Sequence, residues 1–165
     1  MNSVNIVQTA LERSFFRLHT YKKFMTDTFD RATLVSELKR DEGERFKPYF
    51  DTVGKITIGV GRNLTDGGIS QSECEILLHN DIARTLRWLD RHLPWWRTLD
   101  AVRQRVLIHM AFNLGGNLLT FVNTLNAMQR NNYAAAANEM LASKWANQVG
   151  QRALRLANRM RTGKI

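Results

Sequence analysis

Cysteine is almost missing from this chain of 165 residues. Its one cysteine, Cys74, cannot close an internal disulfide, so the fold does not depend on an oxidising compartment. Flanked by Glu73 and Glu75, that thiol has no neighbour favouring the thiolate, and it reads as a plain helix residue. Proline is nearly as scarce: Pro48 and Pro94 leave long helices open everywhere else. No apolar run approaches the roughly 18 residues a membrane-spanning helix needs. Arg13, Arg17, Lys22 and Lys23 interrupt the first stretch, which does not read as a signal peptide or an anchor. A soluble product with no export route of its own is therefore expected. The four histidines, His19, His79, His92 and His109, show no paired metal-ligand spacing, so neither a metal nor a cofactor is expected. Repeats and low-complexity tracts are lacking too.

Acid is missing from one part only. Residues 1–100 hold 15 basic and 14 acidic side chains, a net of +1, whereas residues 101–165 hold 9 basic side chains and the single acid Glu139, a net of +8. That second part is a cationic surface suited to a polyanion, whether nucleic acid, anionic lipid or bacterial cell wall.

Hydrophobic spacing gives the organisation. Val4, Val7, Leu11, Phe15 and Leu18 predict a helix over 3–23. Thr33 opens a helix ending at Glu42, with Leu34, Val35 and Leu38 on one face and Gly43 as its stop. The period then changes. Phe46, Tyr49, Ile56, Ile58 and Val60 predict two or three short antiparallel strands over 45–65, turning at Asp51-Thr52-Val53-Gly54. Ser70 and Glu73 form a capping box that starts a helix from Gln71 to His92, ended by Pro94. Beyond Leu99 the chain reads helical, over 99–113, 118–129, 132–142 and 151–161. The fold class is α+β, mainly α: a small hairpin-containing lobe over 31–70, a connecting helix over 71–92 and a helical lobe over 93–165, with a cleft expected between the lobes. Residues 1–30 are expected to be a dispensable extension. Trp88, Trp95, Trp96 and Trp145 read as packing residues rather than a sugar platform. Gly59-Val60-Gly61 lacks the third glycine of a dinucleotide loop and reads as a close approach of backbone.

One stretch is more specific. It runs Arg40-Asp41-Glu42-Gly43-Glu44-Arg45 and then Tyr49-Phe50-Asp51-Thr52-Val53-Gly54-Lys55-Ile56-Thr57-Ile58-Gly59-Val60-Gly61. Its Glu, the Asp nine positions on and the Thr six further on resemble the phage-type lysozyme family. The likeness continues through Leu99-Asp100-Ala101-Val102-Arg103, Phe112-Asn113-Leu114-Gly115, Lys144-Trp145 and Arg161-Thr162-Gly163, covering about residues 31–163. It implies an endolysin that hydrolyses bacterial peptidoglycan between N-acetylmuramic acid and N-acetylglucosamine, with Glu42, Asp51 and Thr57 catalytic and with inversion at the anomeric carbon. An inverting site holds its carboxyl groups roughly 6.5–9.5 Å apart. The implied setting is a monomer in the host bacterial cytoplasm until lysis, with peptidoglycan rather than nucleic acid as partner and with attraction to the anionic envelope.

The residues support that chemistry independently. Glycoside hydrolysis needs an acid on the leaving oxygen and a second carboxylate facing it. Glu42 falls at a helix C-terminus, where the macrodipole favours the protonated carboxyl of a general acid. Asp51, in a solvated turn, is expected to stay ionised. The hydroxyl of Thr57 is placed to fix a water beside it. By the family match, Arg152 orients Glu42; Arg155, one helical turn on, is expected to pair with Asp41. The family has His where Arg62 stands, paired with an acid matching Asp81; Arg keeps the charge and drops the pH dependence, so a structural ion pair is implied. Phe112, Asn113 and Thr124 match substrate-binding positions. Asn63 is counted with them as substrate-binding, although the family has an apolar residue there, and Glu139 stands where the family has Asn. Two rivals remain: a lytic transglycosylase, which needs no water-activating Asp, and a non-catalytic basic binding module, which gives no reason for Glu42, Asp51 and Thr57.

Overall fold

The structure is a computed structural model and describes residues 28–165. The helix expected over 3–23 lies outside the described residues. The chain divides into two compact units between Ile69 and Ser70.

In the first unit, helix α1 spans Arg31–Glu42 and begins two residues before Thr33. The reason is Asp30, whose carboxylate accepts the Ala32 N–H at 2.9 Å and the Thr33 hydroxyl at 2.6 Å, capping the open first turn. At the other end the Gly43 N–H returns to the Lys39 carbonyl. Three strands follow, β1 (Arg45–Phe50), β2 (Ile56–Gly59) and β3 (Arg62–Asn63), forming an antiparallel sheet in that order. Tyr49 pairs with Thr57 and Phe50 with Ile56, while Thr57 also pairs with Asn63. The β1–β2 ladder shifts register between Arg45 and Tyr49. Pro48 lies in that interval and has no N–H for a ladder, which an edge strand such as β1 tolerates.

In the second unit, α2 spans Gln71–His92. The capping box forms as expected: the Glu73 N–H bonds the Ser70 hydroxyl and the Glu73 carboxylate accepts the Ser70 N–H at 2.7 Å. A 3₁₀ turn over Pro94–Thr98 leads into α3 (Ala101–Leu114), capped by Asp100, which accepts the N–H groups of Val102 and Arg103 at 3.0 Å each. A second 3₁₀ turn covers Gly115–Thr120, followed by α4 (Val122–Gln129), α5 (Tyr133–Ala142), α6 (Lys144–Val149) and α7 (Gln151–Thr162). Two details differ from the periodic reading. The helix expected over 118–129 breaks at Phe121, and α6 is additional, started by the Ser143 side chain capping the Ala146 N–H.

The core of this unit is formed by Leu89, Trp96, Val106, Leu107, Met110, Leu118, Met128, Met140 and Met160, all fully buried. Unbranched methionine fills the irregular gaps where short helices meet at varied angles. Trp96 and Trp145 are buried and Trp88 and Trp95 partly so, in keeping with packing roles. Among the described residues, no single helix is long and apolar enough to cross a membrane.

Candidate active site

The three residues singled out for chemistry all belong to the first unit. Glu42 is the last residue of α1, exposed, and makes no hydrogen bond or ion pair among the described residues. Its carboxylate lies against the β2–β3 turn: a Cβ on Gly61 would stand 3.7 Å from Glu42 Oε2. That is ordinary contact, so space is not what requires glycine there. Gly61 has φ +72°, a left-handed backbone that side chains disfavour, and this conformation brings the turn beside the acid.

Asp51 follows β1 directly and is half-buried. Its Oδ1 accepts the N–H of Val53 at 3.0 Å and of Lys55 at 2.8 Å. The turn is closed by the Asp51 N–H to the Lys55 carbonyl at 2.9 Å and by the Gly54 N–H to the Asp51 carbonyl at 3.1 Å. One carboxylate oxygen is thereby fixed, while Oδ2 makes no hydrogen bond among the described residues. Thr57, on β2, is 3% exposed, and its hydroxyl donates to the same Lys55 carbonyl at 3.3 Å. A hydroxyl whose one proton is so used presents its lone pairs as acceptors. The Lys55 backbone thus ties both residues together, a role that the sequence reading missed.

Other expected residues are placed less simply. The Asn63 amide is engaged on both sides, donating to Asp66 Oδ2 at 2.9 Å and accepting the Asp66 N–H at 3.0 Å, so it closes the 63–66 turn. Arg62 donates to the Gly68 carbonyl at 3.4 Å. Asp81 is ion-paired with Arg84 on its own helix, and Asp41 with its chain neighbour Arg40 at 2.8 Å. In the second unit Arg152 and Arg155 are exposed on α7. Phe112 is exposed on α3, and the Asn113 side-chain Oδ1 beside it accepts the Trp145 indole N–H at 2.8 Å. Thr124 is 2% exposed and lines a cleft of about 480 Å³ together with Phe121, Glu139, Lys144, Trp145 and Gln148.

Comparison with known proteins places the chain in a family. The family model for phage lysozyme matches residues 39–162. The chain belongs to the phage lysozyme family. The chain is 28% identical over 164 residues to a probable T4-type lysozyme 1 of Dictyostelium discoideum, covering 81% of this chain and 96% of that protein. It is 30% identical over 169 residues to the pre-baseplate central spike protein Gp5 of Enterobacteria phage T4, covering 85% of this chain and 29% of that longer protein. It is also 30% identical over 118 residues to an endolysin of Salmonella phage P22, covering 68% of this chain and 81% of that protein. Membership makes the enzyme a glycoside hydrolase of lysozyme type, with peptidoglycan as the substrate the family implies. The matched segment includes Glu42, Asp51 and Thr57. Two further stretches of the lysozyme likeness have structural partners. Arg103 Nε donates to the Met160 carbonyl at 2.8 Å and Nη2 to the Arg161 carbonyl at 3.2 Å, capping the C-terminus of α7. The same guanidinium lies 3.7 Å from the Tyr133 ring centroid and pairs with Asp100 at 2.5 Å.

Proposed function

We propose that the enzyme hydrolyses the β-1,4 bond between N-acetylmuramic acid and N-acetylglucosamine in bacterial peptidoglycan, with inversion, for host cell lysis. Glu42, as the carboxylic acid, gives its proton to the glycosidic oxygen as that C–O bond breaks. Asp51 Oδ2 takes a proton from water, whose oxygen forms the new bond to the anomeric carbon from the opposite face. Thr57 accepts a hydrogen bond from that water and aims it. Arg152 orients Glu42, and Phe112, Asn113 and Thr124 contact the substrate. The enzyme acts as a monomer, kept in the host cytoplasm until it reaches the wall.

The observation that carries this reading is the Asp51 carboxylate: one oxygen is held by two backbone N–H groups, and Thr57 is tied to the same Lys55 peptide. A pre-aimed base needs that fixity, because it leaves one oxygen free and in a defined direction. A lytic transglycosylase needs no such water site. Incubation with purified sacculi, followed by mass analysis of the products, tests the reading. Fragments ending in a reducing sugar are expected, each heavier by one water than the anhydro form. Predominantly 1,6-anhydro ends, or no soluble fragments at all, would overturn it.

A further inference from the structure

Resting on the hydrolytic reading above, we propose that Thr65 is a positioning residue for the reaction, holding Asp51 and Thr57 in aim through the peptide that joins Lys55 to Ile56. That peptide is gripped at both of its polar ends. Its oxygen, the Lys55 carbonyl, accepts the Asp51 N–H at 2.9 Å and the Thr57 hydroxyl at 3.3 Å. Its N–H, on Ile56, faces the segment after β3, where Thr65 Oγ1 accepts it at 2.9 Å. In a trans peptide the C=O and N–H lie in one plane and point in opposite directions. Fixing the hydrogen end therefore fixes the direction of the oxygen, and with it the two residues that use that oxygen. A hydrogen bond to the N–H also polarises the peptide and strengthens the bonds its oxygen accepts.

Thr65 is itself presented by a closed turn. The Asp66 N–H goes to the Asn63 side-chain oxygen at 3.0 Å, and the Asn63 amide goes to Asp66 Oδ2 at 2.9 Å, bracketing Leu64 and Thr65. The Leu64 N–H donates to the Ile56 carbonyl at 2.7 Å, and Lys55 Nζ pairs with the same Asp66 Oδ2. The turn thus grips Lys55 and Ile56 at three points. Of these, the Thr65 bond alone reaches the peptide that carries Asp51 and Thr57. Removing the Thr65 oxygen leaves the turn closed and frees that one peptide to tilt. Thr65 is exposed, so water takes over the Ile56 N–H, but without a fixed direction.

Thr65→Val removes the acceptor at nearly constant shape, Thr65→Ala removes it without a branched side chain, and Thr65→Ser keeps it. The full chain is assayed on soluble glycan strands prepared from sacculi, so that kcat and KM are read separately, with the thermal midpoint of each variant alongside. Thr65→Val and Thr65→Ala should each lower kcat roughly three- to ten-fold, the range of one net hydrogen bond, with KM changed by less than about twofold. Thr65→Ser should stay within about twofold of the unmutated kcat. The deciding arm adds Thr65→Val to a chain already carrying Asp51→Asn. With no base left to aim, the second change should cost less than about twofold. A Thr65 that only closes the turn lowers the rate equally in both backgrounds, in step with the thermal midpoint. That equal loss would overturn the proposal, as would unchanged kcat in Thr65→Val and Thr65→Ala, a loss confined to KM, or a Thr65→Ser protein as slow as Thr65→Val. Failure of the hydrolytic reading shows separately, as missing reducing ends from the unmutated enzyme.

Discussion

At the scale of single residues, the first unit shows why its candidate residues could be singled out from local sequence. Glu42, Asp51 and Thr57 lie within one helix end and one hairpin, so their relation is set by local spacing and by the turn that Asp51 itself closes. In the proposed mechanism, Glu42→Gln removes the proton donor and Asp51→Asn the base. Each should lower the rate of wall clearing by ~10²-fold or more while the thermal midpoint changes little. Retention of more than about a tenth of the rate would remove that residue from its role. Asn113 and Arg103 were not legible in this way. Asn113 bonds a partner 32 residues away and Arg103 one 57 residues away, distances at which periodicity carries no information. Gly163 belongs to the same arrangement. It has φ +68°, and a Cβ there would stand 2.8 Å from Arg103 Nη1. Gly163→Ala should therefore cost about 1 kcal/mol or more in denaturant unfolding, from the left-handed backbone and the displaced guanidinium together. An unchanged midpoint would show that this helix end is not held as described.

Among the elements, the capping box and proline stop of α2 were legible, whereas the Asp30 cap of α1, the Ser143 cap of α6 and the packing-imposed break at Phe121 were not. The Ser70–Glu73 box gave α2 its first turn and Pro94 its end. The break at Phe121 has no cap in the sequence: no side chain caps α4, whose first turn follows the 3₁₀ segment directly. Beyond α2, the chain is pinned by Asp90, which accepts Arg97 Nε at 2.7 Å, Nη2 at 2.8 Å and the Trp96 indole N–H at 2.8 Å. These donors hold the Asp90 carboxyl below its ordinary pKa, Arg97 foremost. On α3, burial holds His109 below its ordinary value, helped by the charges of Arg159 and Arg152 on α7. A histidine so depressed is protonated more readily in the unfolded chain. Its contribution to stability is intact above about pH 6.5 and is lost as pH falls towards the folded value. The thermal midpoint should fall between about pH 7.5 and 5.5, and His109→Gln should make that fall shallower. Parallel pH curves for the two proteins would contradict it.

Across the whole molecule, composition foretold the charge but not its use. The net +8 of residues 101–165 is carried by exposed side chains such as Arg152, Arg155 and Arg161 on α7, around a core that is apolar throughout except for Thr124. Screening confines such attraction to about 10 Å at 0.1 M salt. Clearing of whole walls should therefore slow as salt rises beyond that level, whereas cleavage of a short uncharged chitooligosaccharide should change little. Equal salt responses would remove electrostatic targeting from the account. The mainly helical architecture with one small sheet was readable because each part keeps its own period, 3.6 or 2, over most of its length. The central claim is that Glu42 and Asp51 act on opposite faces of one glycosidic bond with water between Asp51 and the sugar. Proton NMR of freshly released fragments from a β-linked glycan tests it most directly, read before the new reducing ends mutarotate. The account predicts α-anomers first. β-anomers first would mean that Asp51 attacks the sugar itself, contradicting the water-activating role assigned to it.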